Sequence, residues 1–487
     1  MHSMWSNKWF SYIVILVFFV AQFPFIDADA DMHLSHSRGA WTDEGLYTLQ
    51  IRNWLNTSIW NMSETDAFLR APFFNAILLP CFWIFGTSWL AARFTILLLV
   101  VVTCLTVTQH RLLEKLTGPL LLCLLFNPVV FHYSHLAMTE IPATCFLLMG
   151  LTFFHKSIQK QKLSSALVAN AFLVMAVFTK ISFVYVMGIL PVVCSILYFT
   201  LPQQRSFLKN MCMLSIAAGF LTALLFYFAW YLPHQTFLNK IFTIQSELKF
   251  DNNLHDLWQR ITMSHQVFKQ DTFIGYNVYL FYVNVVLTAV WLVLMIKRKL
   301  TPHNLPLVLF CLVWLAFELL KLVNVYLPSR YLISTIVVNM LLFGVLCKEL
   351  QPVNQLHRLT FAGSIVVLFG IGVYHYIRSF SERSFQIKTA NEYFAQTLNK
   401  NNATVVGNWA SVCCWKSRAY SRYCVNNYGN QQELLHHPKP QLILSEAEEE
   451  DSEGAFKSVG YDLKTHADSV ITFKIANWQI YGYWISH

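Results

Sequence analysis

Residues 41–47 read Trp41-Thr42-Asp43-Glu44-Gly45-Leu46-Tyr47. The two adjacent acids stand in a polar stretch, roughly 27–70, wedged between an apolar run from Trp9 to Ile26 and another that opens at Pro72. Far downstream, Glu140 marks a second acidic position at an apolar edge, in His132-Tyr133-Ser134-His135-Leu136-Ala137-Met138-Thr139-Glu140-Ile141-Pro142. Two acidic sites delivered to one face of a many-span chain point to chemistry at the lipid–water boundary.

The composition agrees. Of 487 residues, 55% are hydrophobic and 13% charged, with 40 Phe, 21 Tyr and 15 Trp; soluble domains carry about 25% charged residues. The chain reads as a polytopic membrane protein. Its net charge of +9 is no sign of nucleic acid, because Lys and Arg gather in short loops where they orient the chain. Eight of the eleven Cys sit inside apolar segments as small hydrophobes. Cys413, Cys414 and Cys424 lie in a polar C-terminal region, where an oxidising compartment predicts one disulfide to Cys424. There is no CxxC pair. The first apolar run is followed by Asp27, Asp29 and Asp31 without a small-residue cleavage site, and is expected to be an uncleaved span.

A crossing helix needs about 20 apolar residues. Such segments lie near 9–26, 89–109, 117–134, 140–155, 163–179, 182–200, 210–231, 275–296, 303–321, 329–347 and 359–377, eleven in all and thirteen at most. Segment 72–86 is short, and charge decides its fate. If it does not cross, Arg111 and Lys115, Lys156, Lys160 and Lys162, Arg205 and Lys209, Lys297, Arg298 and Lys299, and Lys348 and Arg358 all fall on the cytoplasmic side. Residues 27–88 are therefore expected outside, with 72–86 on or dipping into the outer interface. The outer side also receives the 132–140 corner, a loop over 232–274 and the tail 378–487. The transmembrane domain is 1–377. The tail reads as a small α/β domain, with a helix over 388–399 and strands at Thr404–Gly407, Gln441–Leu444, Val470–Phe473 and Gln479–Trp484. Its acidic run (Glu446, Glu448, Glu449, Glu450, Asp451, Glu453) reads as a solvated loop. No repeat of period 20–50 is visible.

Residues 44–55 interleave Leu46, Tyr47, Ile51, Trp54 and Leu55 with Gln50, Arg52 and Asn53, the pattern of a helix on the membrane surface. Thr42 or Asp43 would be its N-cap. The functional reading of Asp43 is a carboxylate at the rim of a cavity, taking a proton from an acceptor hydroxyl. Glu140 is either the N-terminal acid of the next helix or a second acid of the site. His132, His135 and Glu140 are candidates for a divalent metal, as are His33 and His36. Lys180, in Phe178-Thr179-Lys180-Ile181, and Arg330, in Leu327-Pro328-Ser329-Arg330-Tyr331, are cations at outer span edges, with Lys321 near the same corner. A phosphate is the natural partner for such charges, and snorkelling is the bland one. No GxGxxG, GxxxxGK[ST] or GxSxG occurs, so nothing signals a soluble nucleotide-sugar donor.

The order and spacing of these pieces resemble the membrane-embedded GT-C glycosyltransferases that use lipid-linked sugars, above all the aminoarabinose transferase and protein O-mannosyltransferase branch. The pieces are Trp41–Tyr47; Arg70-Ala71-Pro72-Phe73-Phe74 through Phe85-Gly86; Ala92-Arg93-Phe94; Tyr133–Glu140; Thr179-Lys180; and Ser329-Arg330-Tyr331. They run from about residue 5 to residue 380. The resemblance implies a polyprenyl-phosphate sugar donor, a lipid, glycan or protein acceptor, and transfer on the outer face with inversion. It implies Asp43 as general base, Glu44 placing the acceptor, Glu140 at the second acidic position, and Lys180 and Arg330, with Lys321, at the donor phosphate. Two departures stand out. The second acidic position is usually Asp, and the residue before the proline equivalent to Pro72 is often His or Lys, where this chain has Ala71.

Two other classes compete. A flippase would show repeats and mid-span charges, and here only Glu318 stands inside an apolar segment away from the edges just named. A non-catalytic scaffold would present the C-terminal domain and be indifferent to Asp43→Asn. A bacterial inner membrane is the expected location. The sequons at Asn56-Thr57-Ser58, Asn61-Met62-Ser63 and Asn402-Ala403-Thr404 leave an endoplasmic reticulum enzyme as the alternative.

Overall fold

A computed structural model describes residues 8–34, 38–61, 70–239, 286, 288–294, 296–297, 300–319, 328–350, 355–398, 403–424, 434–435, 439–446 and 452–485. Lys321, His36, residues 275–285 of the segment 275–296, the 232–274 loop beyond residue 239, and Glu448, Glu449, Glu450 and Asp451 of the acidic run lie outside the described residues.

The apolar runs are helices: α1 (Lys8–Gln22), α2 (Gly39–Thr57), α3 (Pro72–Phe85), α4 (Trp89–Gln109), α5 (Thr117–Leu125), α6 (Pro128–Tyr133), α7 (Glu140–Lys160), α8 (Leu163–Thr179), α9 (Val186–Thr200), α10 (Arg205–Leu225), α11 (Leu305–Leu319), α12 (Ile333–Leu350) and α13 (Gln355–Ser381). Among the described residues, seven helical stretches are long and apolar enough to cross a membrane. The protein is a multi-pass membrane protein.

Local chemistry explains the exceptions. The 14-residue α3 is roughly 21 Å long at 1.5 Å per residue, short of the ~30 Å hydrocarbon core. It starts on Pro72 and ends at Gly86, whose φ of 76° is open to glycine. The expected single span 117–134 is two pieces. Asn127 caps α6, its Oδ1 accepting from the amides of Val129 and Val130, and Pro128 opens it; the Asn-Pro pair therefore restarts the helix. Charge sorts by helix end. Glu140 begins α7 and Lys180 follows α8 at one end of the bundle. At the other, Lys348 reaches Glu114 at 2.9 Å and donates to Asn304 at 3.0 Å.

After α13 come α14 (Gln386–Thr397), β1 (Thr404–Val406), α15 (Ala410–Cys413), β2 (Tyr420–Arg422), β3 (Leu442–Glu446), α16 (Ser452–Lys457), α17 (Leu463–His466), β4 (Ser469–Ile475) and β5 (Trp478–Trp484). The strands form one sheet in the order β2-β1-β3-β5-β4. β1 is parallel to both β2 and β3, and β3, β5 and β4 run antiparallel. The small α/β unit is as expected, apart from β2. That strand is three buried residues long, with no alternation to betray it. Cys413, Cys414 and Cys424 are buried thiols, not joined in the expected disulfide. Nor is the acidic run wholly solvated: Glu446 is buried, accepting from Trp409 Nε1 at 2.6 Å and pairing with Arg38 at 3.0 Å.

Helix α2 is held between bundle and sheet. Arg52 donates to the Ser411 carbonyl at 2.6 Å and covers the Trp415 ring at 4.0 Å. Asn53 and Ser421 exchange two bonds, of 2.7 and 3.2 Å. Gly45 lets α2 approach α15 closely, since a Cβ there would stand 2.6 Å from Ser411 Oγ and 2.8 Å from the Val412 amide. The 27–31 loop completes the junction. Asp29 accepts from the Gln386 and Ile387 amides at 2.7 and 3.1 Å, satisfying the N-terminus of α14.

Candidate active site

Asp43 is not an N-cap. Helix α2 begins four residues earlier, after Arg38, with no side-chain cap. This frees the Asp43 carboxylate to turn to the bundle, where its Oδ2 lies 2.9 Å from Arg330 Nη2. Arg330 stands in a tight turn, Ser329–Leu332, ahead of α12. Ser329 ties that turn down by donating to the Leu34 carbonyl at 2.5 Å. Arg330 Nε is 3.3 Å from Glu140 Oε1, so a single guanidinium joins the two sequence-distant acids. Lys180 Nζ donates to the same Glu140 oxygen at 2.5 Å and lies 4.3 Å above the Tyr331 ring.

Asp43, Glu140, Lys180 and Arg330 thus form one network of balanced formal charge. Glu140, at 2% side-chain exposure, and Arg330, at 5%, are its most buried members; Lys180 and Asp43 are at 13% and 16%. Burial raises the Asp43 carboxyl above its ordinary range, the Arg330 guanidinium opposes this, and the Glu140 charge adds to it. A carboxylate so placed is a better proton acceptor than one in water.

Glu44 points the other way. It is 1% exposed and makes a two-pronged pair with Arg93, which also donates to the carbonyls of Ile26 and Ala28 at 3.1 and 2.5 Å. The Ala137 amide donates to Glu44 Oε1 at 2.6 Å. The His132, His135 and Glu140 grouping does not assemble. His135 Nδ1 is 2.7 Å from Gln22 Oε1, His132 Nε2 is 3.7 Å from Asp31 Oδ2, and Glu140 is held by the two cations. Among the described residues, no group of three or more His, Cys, Asp or Glu is arranged to hold a metal.

Sequence reasoning gave no role to Arg93 and Tyr331, though both stand in the quoted motifs, and passed over Gly39. Arg93 had a signal, being a lone Arg in the first turns of an apolar helix. Gly39 had none: it matters because a Cβ there would fall 2.2 Å from Arg330 Nη1.

The arrangement of helical bundle and terminal sheet is found again among solved structures. No family model and no curated protein matches the chain. Among solved structures it is similar to ArnT from Cupriavidus metallidurans, over 97% of both chains. The apo form gives a TM-score of 0.60 at 12% identity, and the form bound to undecaprenyl phosphate 0.57 at 13%. It is also similar to the oligosaccharyltransferase of Archaeoglobus fulgidus tethered with an acceptor peptide, with a TM-score of 0.52 at 10% identity over 99% of this chain and 75% of that one. At such identities the likeness is one of fold.

Proposed function

We propose that this chain is a glycosyltransferase that moves a sugar from a polyprenyl-phosphate donor to a hydroxyl of a lipid, glycan or protein acceptor. The observation that carries the reading is Arg330 bridging Asp43 and Glu140, with Lys180 on the same Glu140 oxygen. A general base and two phosphate ligands stand within one network, at the helix ends where a lipid-borne donor can reach them from the bilayer. The likeness to ArnT bound to undecaprenyl phosphate supports the donor class.

The bond between the anomeric carbon and the donor phosphate oxygen breaks, and its electron pair stays on the phosphate. The acceptor oxygen attacks the opposite face of the anomeric carbon and gives its proton to Asp43. Negative charge grows on the leaving phosphate, and Lys180 and Arg330 are placed to balance it. An arriving phosphate competes with Asp43 for Arg330. That exchange leaves Asp43 without its counter-ion and more basic at the moment a proton must move. Glu140 holds the two cations together, and Glu44 acts through Arg93 as a support of α2 rather than on the acceptor.

The basic ends of the spans, with Lys156, Lys160 and Lys348, lie opposite this network. The positive-inside rule then supports the extracytoplasmic face for the site, and a bacterial inner membrane is the compartment we favour. Mass spectrometry of surface glycans, glycolipids and glycoproteins from cells carrying wild type, a deletion or Asp43→Asn tests the reading. The loss of one sugar in both altered strains is expected. A glycan change in the deletion alone would remove Asp43 as base and favour a flippase or scaffold.

A further inference from the structure

Glu318 is a buried acid that the chemistry above does not use. It lies in the last turn of α11 at 3% exposure. An ionisable group in an apolar span is costly unless well partnered, and so marks a functional position. Its partners divide by oxygen. Oε1 accepts from the Tyr185 hydroxyl and, at 3.2 Å, from Trp314 Nε1 one turn back on its own helix. Oε2 accepts from Ser334 Oγ at 2.9 Å and Thr335 Oγ1 at 2.7 Å.

These partners belong to the two corners that carry the cations. Tyr185 ends the short connection that begins at Lys180 and leads into α9. Ser334 and Thr335 form the first turn of α12, directly after the turn that carries Arg330. Helix α11 packs against both α9 and α12, and the Tyr185 ring stacks on Phe317 at 5.6 Å. Among the described residues, these donors come from both corners and from α11 itself, so Glu318 is built as a link between them.

We propose that Glu318 is a positioning residue for the donor: it ties the Lys180 corner to the Arg330 corner and so sets the spacing of the two cations that receive the phosphate. This rests on the donor class proposed above. Chemistry distinguishes the link from the charge. Glu318→Gln keeps an acceptor for Tyr185 and Trp314, and its amide can donate to the two hydroxyls, whereas Glu318→Leu joins nothing.

The test measures undecaprenyl phosphate binding to the full-length protein in nanodiscs, for wild type, Glu318→Leu and Glu318→Gln, each also combined with Lys180→Ala. We expect about tenfold weaker binding for Glu318→Leu and less than threefold for Glu318→Gln. In the Lys180→Ala background we expect little further loss from Glu318→Leu, because one of the two charges being spaced is gone. Where Glu318→Leu gives no monodisperse protein, Tyr185→Phe and Ser334→Ala remove one link each and carry the same comparison. A wild type that binds while the Glu318, Tyr185 and Ser334 variants bind equally well would overturn the proposal and leave the donor class standing. So would an undiminished loss in the Lys180→Ala background, or a Gln variant as poor as Leu. A wild type that does not bind undecaprenyl phosphate overturns the donor class and this proposal together.

Discussion

Arg93 and Glu44 meet as a buried fork, Nε to Oε1 at 2.9 Å and Nη2 to Oε2 at 2.6 Å, each side chain 1% exposed. The pair fastens α2 to α4, and through the Ala137 amide it also fastens the approach to Glu140. Asp43 and Glu140 are thus held from behind by the same carboxylate. Arg93 stacks on Trp89 at 4.2 Å as well, which gives the guanidinium an apolar face to rest on.

Breaking this pair is expected to damage the fold. Removing one member of a buried, hydrogen-bonded ion pair costs about 3–5 kcal/mol, because the other is left charged and alone. Arg93→Leu and Glu44→Leu should each lower the thermal unfolding midpoint in detergent and reduce the yield of monodisperse protein. Arg93→Lys should rescue poorly, since an ammonium cannot supply the fork. Midpoints unchanged from wild type would contradict the support role.

Asp43→Asn should separate chemistry from binding. Transfer is expected to fall by about two to four orders of magnitude, the range general-base catalysis contributes. Binding of undecaprenyl phosphate should be as tight as in wild type or tighter, because Arg330 no longer has Asp43 as a competitor. Single-turnover transfer and direct binding measured on the same preparation decide it. A large loss of binding would mean that Asp43 helps hold the donor.

The pH profile follows from the raised Asp43 carboxyl. Below its pKa the residue is protonated and cannot accept the hydroxyl proton. The rate measured as kcat/KM should therefore drop on acidification, with a midpoint above the ordinary aspartate value of about 3.9. That limb should vanish in Asp43→Asn. A limb that persists in the variant would assign the titration to another group.

Much of this was legible in the chain, and what was not has physical causes. Hydropathy outlined most of the described helices and the short α3, and charged residues at apolar edges singled out Asp43, Glu140, Lys180 and Arg330, which the structure gathers into one network. The role of Glu44 was not legible, because adjacent acids look alike in sequence while helical spacing turns them about 100° apart. Neither Thr42 nor Asp43 is the expected N-cap, because the helix begins at Gly39, where neither Arg38 nor Gly39 offers a capping side chain. The break at Asn127-Pro128 falls inside an apolar run that reads as a single span. Strand β2 and the burial of Glu446 depend on contacts with α2 and Arg38 that local sequence does not encode.

Gly39→Ala tests how finely Arg330 is placed. The added Cβ would fall 2.2 Å from Nη1 and 2.8 Å from Nη2 of Arg330, far inside contact distance. The atoms in the way are the end of a long side chain, so the helix should survive and the guanidinium should move. Gly39 is the first residue of α2, and Ala in place of Gly leaves the unfolded chain fewer conformations to lose, so thermal stability should be unchanged or slightly raised. A displaced guanidinium can no longer join Asp43 to Glu140 and meets the donor phosphate in a poorer geometry. We expect about a tenfold loss in kcat/KM, with the folded fraction and the unfolding midpoint retained. Loss of activity together with loss of folded protein would show instead that the Gly39 contact is structural, and activity equal to wild type would show that Arg330 tolerates a shift of that size.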